Sequence, residues 1–221
     1  MGVEFSHVFD GSALAIVCAG TALATAARCG WRDLAATGRA LSRLPRNGFD
    51  LEANRRALAN CARAIERDGR LRADVQLPSD PAIARQVDRL LRTRPQEAIE
   101  QARLAEKSAR MAERMRAVRT LEHAGELAPV FGLVGTLIAI TQLAPATAAE
   151  PVGATMGAIS TAVLSTLYGV LMAQFACIPL ARAIERKEEA EEDQRDALLD
   201  WFMRCVVSSP PAQRAHMREV A

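Results

Sequence analysis

The sequence has no lysine or arginine before Arg28 and none between Arg119 and Arg182. Three stretches carry no aspartate, glutamate, lysine, arginine or histidine at all: Gly11 to Ala27, Leu127 to Ala149 and Pro151 to Ala181, of 17, 23 and 31 residues. Only Glu150 separates the last two. A helix on a water-soluble core needs an apolar stripe on one face, whereas a run uncharged on every face for about 20 residues is what a bilayer core demands. The last two runs therefore read as a transmembrane hairpin. The first is rich in alanine and threonine, which contribute little transfer energy. Met1 to Asp10 lacks the positive n-region of a signal peptide, so a retained helix is expected there.

Other absences narrow the function. Cys18, Cys29, Cys61, Cys177 and Cys205 show no CxxC spacing, which removes a disulfide framework and a cysteine metal site. His7, His123 and His216 are too scattered to serve one metal. HExxH and paired membrane aspartates are missing, so no catalytic residue and no enzyme is expected. No carboxylate lies in mid-helix, as a rotary-ring subunit of ATP-synthase type requires.

What is present is charge in two blocks. Of 28 Lys and Arg, 21 lie between Arg28 and Arg119 and 7 between Arg182 and Arg218. The positive-inside rule makes both blocks cytoplasmic and puts the N-terminus and the turn around Glu150 outside. The whole-chain charge of +2 hides this partition, because Arg28 to Glu126 alone carries 21 − 14 = +7. No nucleic acid is needed to explain it. The expected fold is an all-α integral membrane protein with three transmembrane helices, N-out and C-in, and a cytoplasmic helical domain. Its parts are residues 1–29 (outer N-terminus and first crossing), 30–126 (cytoplasmic domain), 127–182 (hairpin) and 183–221 (cytoplasmic helical tail).

Within the cytoplasmic block, Leu51, Ala57, Leu58, Cys61, Ala64 and Ile65 recur at helical spacing between Asp50 and Asp68. Ser79-Asp80-Pro81 sets a capping residue before a first-turn proline, and an Ala-rich amphipathic helix runs from Pro95 towards Gly125. The tail IERKEEAEEDQRDALLDWF continues the last helix, with its charge run expected to be a solvated face.

In the hairpin, Ala128, Gly132, Gly135, Ala139, Gln142 and Ala146 share one ridge at 3/4 spacing, with Thr136 beside it. Thr155, Ala158, Ala162, Thr166, Gly169, Ala173 and Ala176 make a second ridge. Lipid offers no hydrophobic force between helices, so ridges of small residues let backbones approach, and hydroxyls among them can hydrogen-bond. The two ridges could face each other or face another helix.

FGLVGTLIAI and EPVGATMGAISTAVLSTLYGVLMAQFACIPLA resemble the MotA/TolQ/ExbB superfamily of ion-driven motor subunits, most closely its MotA branch, over Leu121 to Ala181. A fainter likeness covers Ala62 to Asp88. The resemblance implies a homopentamer in the bacterial inner (cytoplasmic) membrane around two copies of a single-helix MotB- or ExbD-like partner with a membrane aspartate. Ion flow, H+ or Na+, would be coupled to mechanical work, with no cofactor. It also implies roles for individual residues. Thr136, Ser165 and Thr166 would line the ion path, and Pro129 and Pro179 would be helix-entry prolines, Pro129 where its helix enters the membrane from the cytoplasm and Pro179 at the end of the last membrane helix. Gly132, Gly135, Ala162, Tyr168, Gly169 and Ala173 would pack against the partner helix, and Arg67 and Asp74 would meet a cytoplasmic partner. The family's paired threonines are Ser165-Thr166 here and its Ala-Asn is Ala173-Gln174. The additional N-terminal helix of flagellar MotA is absent from the sequence, as in the three-crossing plan of TolQ and ExbB. A passive membrane scaffold for a cytoplasmic helical domain is the alternative reading. The topology is checked by reporters fused near Gly2 and near Glu150: both should report from the outer side, and a cytoplasmic Gly2 would remove the three-crossing plan.

Overall fold

Helix is the only regular structure among the described residues of a computed structural model, which are 10–45, 48–68, 76–92, 96–141 and 151–208. The order is α1 (Gly11–Cys29), α2 (Trp31–Arg43), α3 (Leu51–Asp68), α4 (Pro81–Arg92), α5 (Gln96–Thr141), α6 (Pro151–Leu171) and α7 (Ile178–Ser208), with a π-helical segment, Met172–Cys177, joining α6 to α7. Asp74, Glu150 with the turn around it, residues 1–9 and residues 209–221 lie outside the described residues. Among the described residues, three helices are long and apolar enough to cross a membrane: α1, α5 within Glu100–Thr141, and the α6–α7 run within Thr155–Val206.

Local chemistry sets the helix starts and stops. Asp10 caps α1, its side chain accepting from the amides of Ser12 and Ala13, which would otherwise be unpaired first-turn donors. Gly30 ends α1 at φ 83°, a left-handed value that glycine adopts without a Cβ penalty, and α2 starts at the next residue. Asp80 caps α4 through the amides of Ala82 and Ile83, with Pro81 at the first helical position. Pro129 sits inside α5.

The chain divides into two compact units. One comprises Met1–Pro45 and Glu113–Glu185, the other Arg46–Ala112 and Arg186–Ala221. These limits differ from boundaries drawn where the uncharged runs begin and end. The reason is that α2 packs on charged helix as well: Ala40 is buried with Ala117, Val118, Leu121, Ala181 and Ile184, and Arg39 pairs with Glu113 at 3.0 Å.

In the first unit, the close contacts between helices are made by small residues. A Cβ built on Gly169 would stand 2.6 Å from the Ala128 carbonyl oxygen and 3.1 and 3.2 Å from the Cα atoms of Gly132 and Pro129. A Cβ on Gly132 would stand 3.0 Å from the Ser165 carbonyl oxygen and 3.2 Å from Thr166 Cα. Helices α5 and α6 thus touch backbone to backbone. The Phe131 ring seats on Gly20 of α1, which has no room there for a side chain, and Cys18 Sγ lies 3.8 Å from Met172 Sδ.

The second unit is held by a mixed core and by charge. Leu58, Cys61 and Ile65 of α3, Ile83, Val87 and Leu90 of α4, and Leu198, Leu199 and Phe202 of α7 form one buried cluster. Asn54, 2% exposed, is satisfied by donating to the Asp50 carbonyl and accepting from Ser79 and the Asp80 amide, so it ties the starts of α3 and α4 together. Part of the tail's charge run, expected to be a solvated face, is paired, while Glu189 and Asp193 are exposed. Arg103 binds Asp196 and Asp200, Lys107 binds Asp196, and Arg110 binds Glu192. Arg195 reaches Asp80, Glu191 and Glu192 and lies over the Phe49 ring. Arg103 and Arg195 side chains are each only 17% exposed, so these pairs are worth more than surface ones.

Two substitutions test this division of forces. Gly169→Ala must push backbone away from backbone, and a loss of about 1–3 kcal/mol is expected on unfolding in detergent. Gly157→Ala, with nothing within 4 Å of the new Cβ, should cost little. In the second unit, Asp196→Asn withdraws the charged acceptor of two half-buried cations and should cost about 1–3 kcal/mol in chemical denaturation. Glu52→Gln, from an exposed pair with Arg56, should change stability by less than about 0.5 kcal/mol.

Candidate ion-path site

Residues carrying hydroxyls collect on both sides of the α5–α6 contact. Ser165 is 0% exposed and lies at its centre, with its Oγ within donating distance of the Gly132 carbonyl (3.1 Å) and of the Ala162 carbonyl (2.9 Å). Gly135 makes the space: a Cβ there would meet Ser165 Cβ at 2.7 Å. Thr136, one turn along α5 from Gly132, donates to the Leu133 carbonyl at 2.6 Å. Thr166, half-buried beside the contact, stands 3.4 Å from the Ala162 carbonyl. Both threonines bond to their own helix, which satisfies the hydroxyl proton and leaves the oxygen lone pairs available.

Of the first small ridge, Ala128, Gly132, Gly135 and Ala139 are all buried, as the spacing required, and Gln142 and Ala146 lie outside the described residues. The second is displaced. Buried on α6 and the π segment are Ser165, Gly169, Ala173 and Cys177, while Thr155 is exposed and Ala158, Ala162, Thr166 and Ala176 are only half-buried. Steps of four drift around an ordinary α-helix of 3.6 residues per turn. The wider π turn over Met172–Cys177 takes up that drift and keeps Ala173 and Cys177 in line.

This packing changes the roles expected of several residues. Gly132, Gly135, Gly169 and Ala173 are occupied within the chain, so the surfaces they were to offer a partner helix are already covered. Ser165 is likewise sealed in the α5–α6 contact rather than placed on an open path. Ala162 and Tyr168 remain half-buried, and Pro179 is exposed at the start of α7. Arg67 is exposed at the end of α3, in the other unit.

One residue escaped the sequence reading altogether. Asp10 caps α1 and also spans to α6: its Oδ2 accepts from Thr161 Oγ1 at 2.7 Å, and its amide donates to Tyr168 Oη at 2.9 Å. Its Oδ1 also accepts from Ser12 Oγ at 2.6 Å, so both carboxylate oxygens are engaged. A capping signal, Asp10 before the first uncharged run, was legible; the separation of 151 positions between Asp10 and Thr161 hid the rest.

Comparison with known proteins places this geometry. Residues 74–197 match the MotA/TolQ/ExbB proton channel family. The uncharacterized protein YtxD of Bacillus subtilis (strain 168) is 38% identical over 74 residues, which are 33% of this chain and 26% of that protein. Among solved structures, the flagellar MotAB stator complex from Bacillus subtilis superposes with a TM-score of 0.77 at 20% identity, covering 99% of this chain and 86% of that one. C. jejuni MotAB superposes with a TM-score of 0.78 at 17% identity, covering 96% and 84%. At these identities the structural likeness is one of fold. The family match is more, since it takes in over half of the chain and with it the whole α5–α6 contact, both threonines included: the chain belongs to the MotA/TolQ/ExbB proton channel family.

Proposed function

We propose that this chain is the ion-conducting subunit of a membrane motor, in which five copies surround two copies of a single-helix partner and convert the flow of H+ or Na+ into mechanical work. The observation that carries the reading is the α5–α6 pair. Its backbones are in contact, its apolar spans hold no Asp, Glu, Lys, Arg or His, and Thr136 and Thr166 flank the contact with oxygen lone pairs to spare. The pair holds no titratable group of its own, so this reading takes the ion-carrying carboxylate from a partner helix. A charge at bilayer depth costs about 2.5–3.5 kcal/mol on insertion scales, and the membrane potential supplies about 2.3 kcal/mol per charge per 100 mV. The two are comparable. Neutralising the partner's carboxylate with a passing ion can therefore switch its preference between a hydroxyl-bearing face and an apolar one.

The charge distribution supports an N-out, C-in arrangement in a bacterial inner membrane, with the charged unit and the tail in the cytoplasm. Arg67 and Asp74 are the proposed contacts for a cytoplasmic partner. A passive scaffold is the second reading, favoured by one finding: the glycines and Ser165 are fully used in packing within the chain.

Valine keeps the shape of threonine and removes the hydroxyl. Thr166→Val should abolish partner-dependent ion flux, Thr136→Val should lower it at least about tenfold, equivalent to about 1.4 kcal/mol, and Glu150→Gln should leave it largely intact. Flux is measured in vesicles holding the chain with its partner, and assembly is checked by native mass spectrometry, where a pentamer is expected. Full flux in the double Thr136→Val, Thr166→Val variant would leave the scaffold as the function.

A further inference from the structure

Helix α6 carries two adjacent hydroxyls, and only one of them can face α5. Ser165 is sealed in the contact and Thr166 lies beside it. Successive residues on an α-helix are about 100° apart, so a rotation of α6 by one residue step would exchange the two. Gly132, Gly135 and Gly169 leave no room for a larger side chain in the contact, so such a rotation requires the two backbones to part slightly, and surfaces of Gly, Ala and Ser offer few interlocking atoms against it once they do.

A second contact on another side of α6 is directional. Thr161 and Tyr168, seven residues apart, fall on nearly the same side of the helix and about 10 Å apart along its axis. Both hydroxyl oxygens are bonded to a single residue, Asp10: Thr161 Oγ1 donates to Oδ2 at 2.7 Å, and Tyr168 Oη accepts from the amide at 2.9 Å. Asp10 is itself immobilised. Its Oδ1 accepts from the Ser12 amide (2.9 Å), the Ala13 amide (3.2 Å) and Ser12 Oγ (2.6 Å) at the start of α1. The two bonds converge on one residue that α1 holds in place, and so tie this side of α6 to the start of α1.

We propose that Asp10 is a positioning residue that clasps α6 through Thr161 and Tyr168 and so fixes the rotation in which Ser165 faces α5 and Thr166 stands free beside it. That Thr166 then serves an ion rests on the motor reading; the clasp itself does not. As an ordinary cap, Asp10 would need only the amides of Ser12 and Ala13. The clasp additionally requires both hydroxyls of α6, and this distinguishes the two roles.

The test reads rotation directly and independently of flux. Ser165→Cys and Thr166→Cys are introduced separately into the full chain in membranes, and their labelling by a small membrane-permeant maleimide is followed peptide by peptide with mass spectrometry. With the clasp intact, Cys at 166 should label at least about tenfold faster than Cys at 165. Adding Thr161→Val with Tyr168→Phe, which spares the cap, should bring the ratio to within about twofold of unity, and Asp10→Ala, which keeps the amide that bonds Tyr168, should lower the ratio by less. Thr161→Ser, which keeps the hydroxyl, should preserve the tenfold ratio. An unchanged ratio in the Thr161→Val, Tyr168→Phe background would overturn the clasp. Flux measured in the same two hydroxyl variants, carrying native Ser165 and Thr166, should fall at least about fivefold with the clasp. A collapsed ratio with undiminished flux would overturn the positioning role. A collapsed ratio in a parent chain that conducts no ions supports the clasp and overturns the motor reading.

Discussion

Backbone contact between α5 and α6 is the constraint on which the first unit depends. In water such a pair would be driven together by burial of side chains; in lipid the tails are as apolar as leucine, and only close approach and hydrogen bonding favour association. Gly132, Gly135 and Gly169 supply the approach, and Ser165 supplies the bond. Phe131 can then reach Gly20, and α1 joins the pair on the same principle of a large group seated where a side chain is missing.

The second unit is stabilised by the opposite means. Its core is aliphatic and aromatic, as in a water-soluble protein, and cations of α5 are matched by acids of α7 along more than two turns. Both helices thus change character along their length. Each begins or ends among paired charges and carries only small and apolar residues through its uncharged part, which is how one helix serves two units whose stabilising forces differ.

Much of this was legible in the sequence because it is periodic or compositional. The uncharged runs gave the three long apolar helices; Asp80-Pro81 gave the start of α4; Leu58, Cys61 and Ile65 gave the buried side of α3. The ridge on α5 was also correct, since an α-helix keeps its period there. On α6 the same method put Thr166 where Ser165 lies, because the two stand three and four residues before Gly169 and spacing alone does not choose between them; the π segment, invisible to a 3.6-residue template, then moves the line from Ala176 to Cys177. Pairing of the acidic tail and the reach of Asp10 were hidden for a different reason. Each depends on which helices become neighbours, and spacing along one chain segment carries no information on that.

Ser165 adds one property to the contact it completes. Its hydroxyl has one proton and two carbonyls within reach, Gly132 across the interface and Ala162 on its own helix. An unsatisfied polar group in hydrocarbon costs several kcal/mol, and a cost of that size would ordinarily stand as a barrier to parting two hydrogen-bonded helices. Here the proton can swing to Ala162 as the Gly132 bond stretches, so the donor is never stranded. The junction between α5 and α6 is therefore a reversible fastener, tight when closed and without a penalty at the donor for opening.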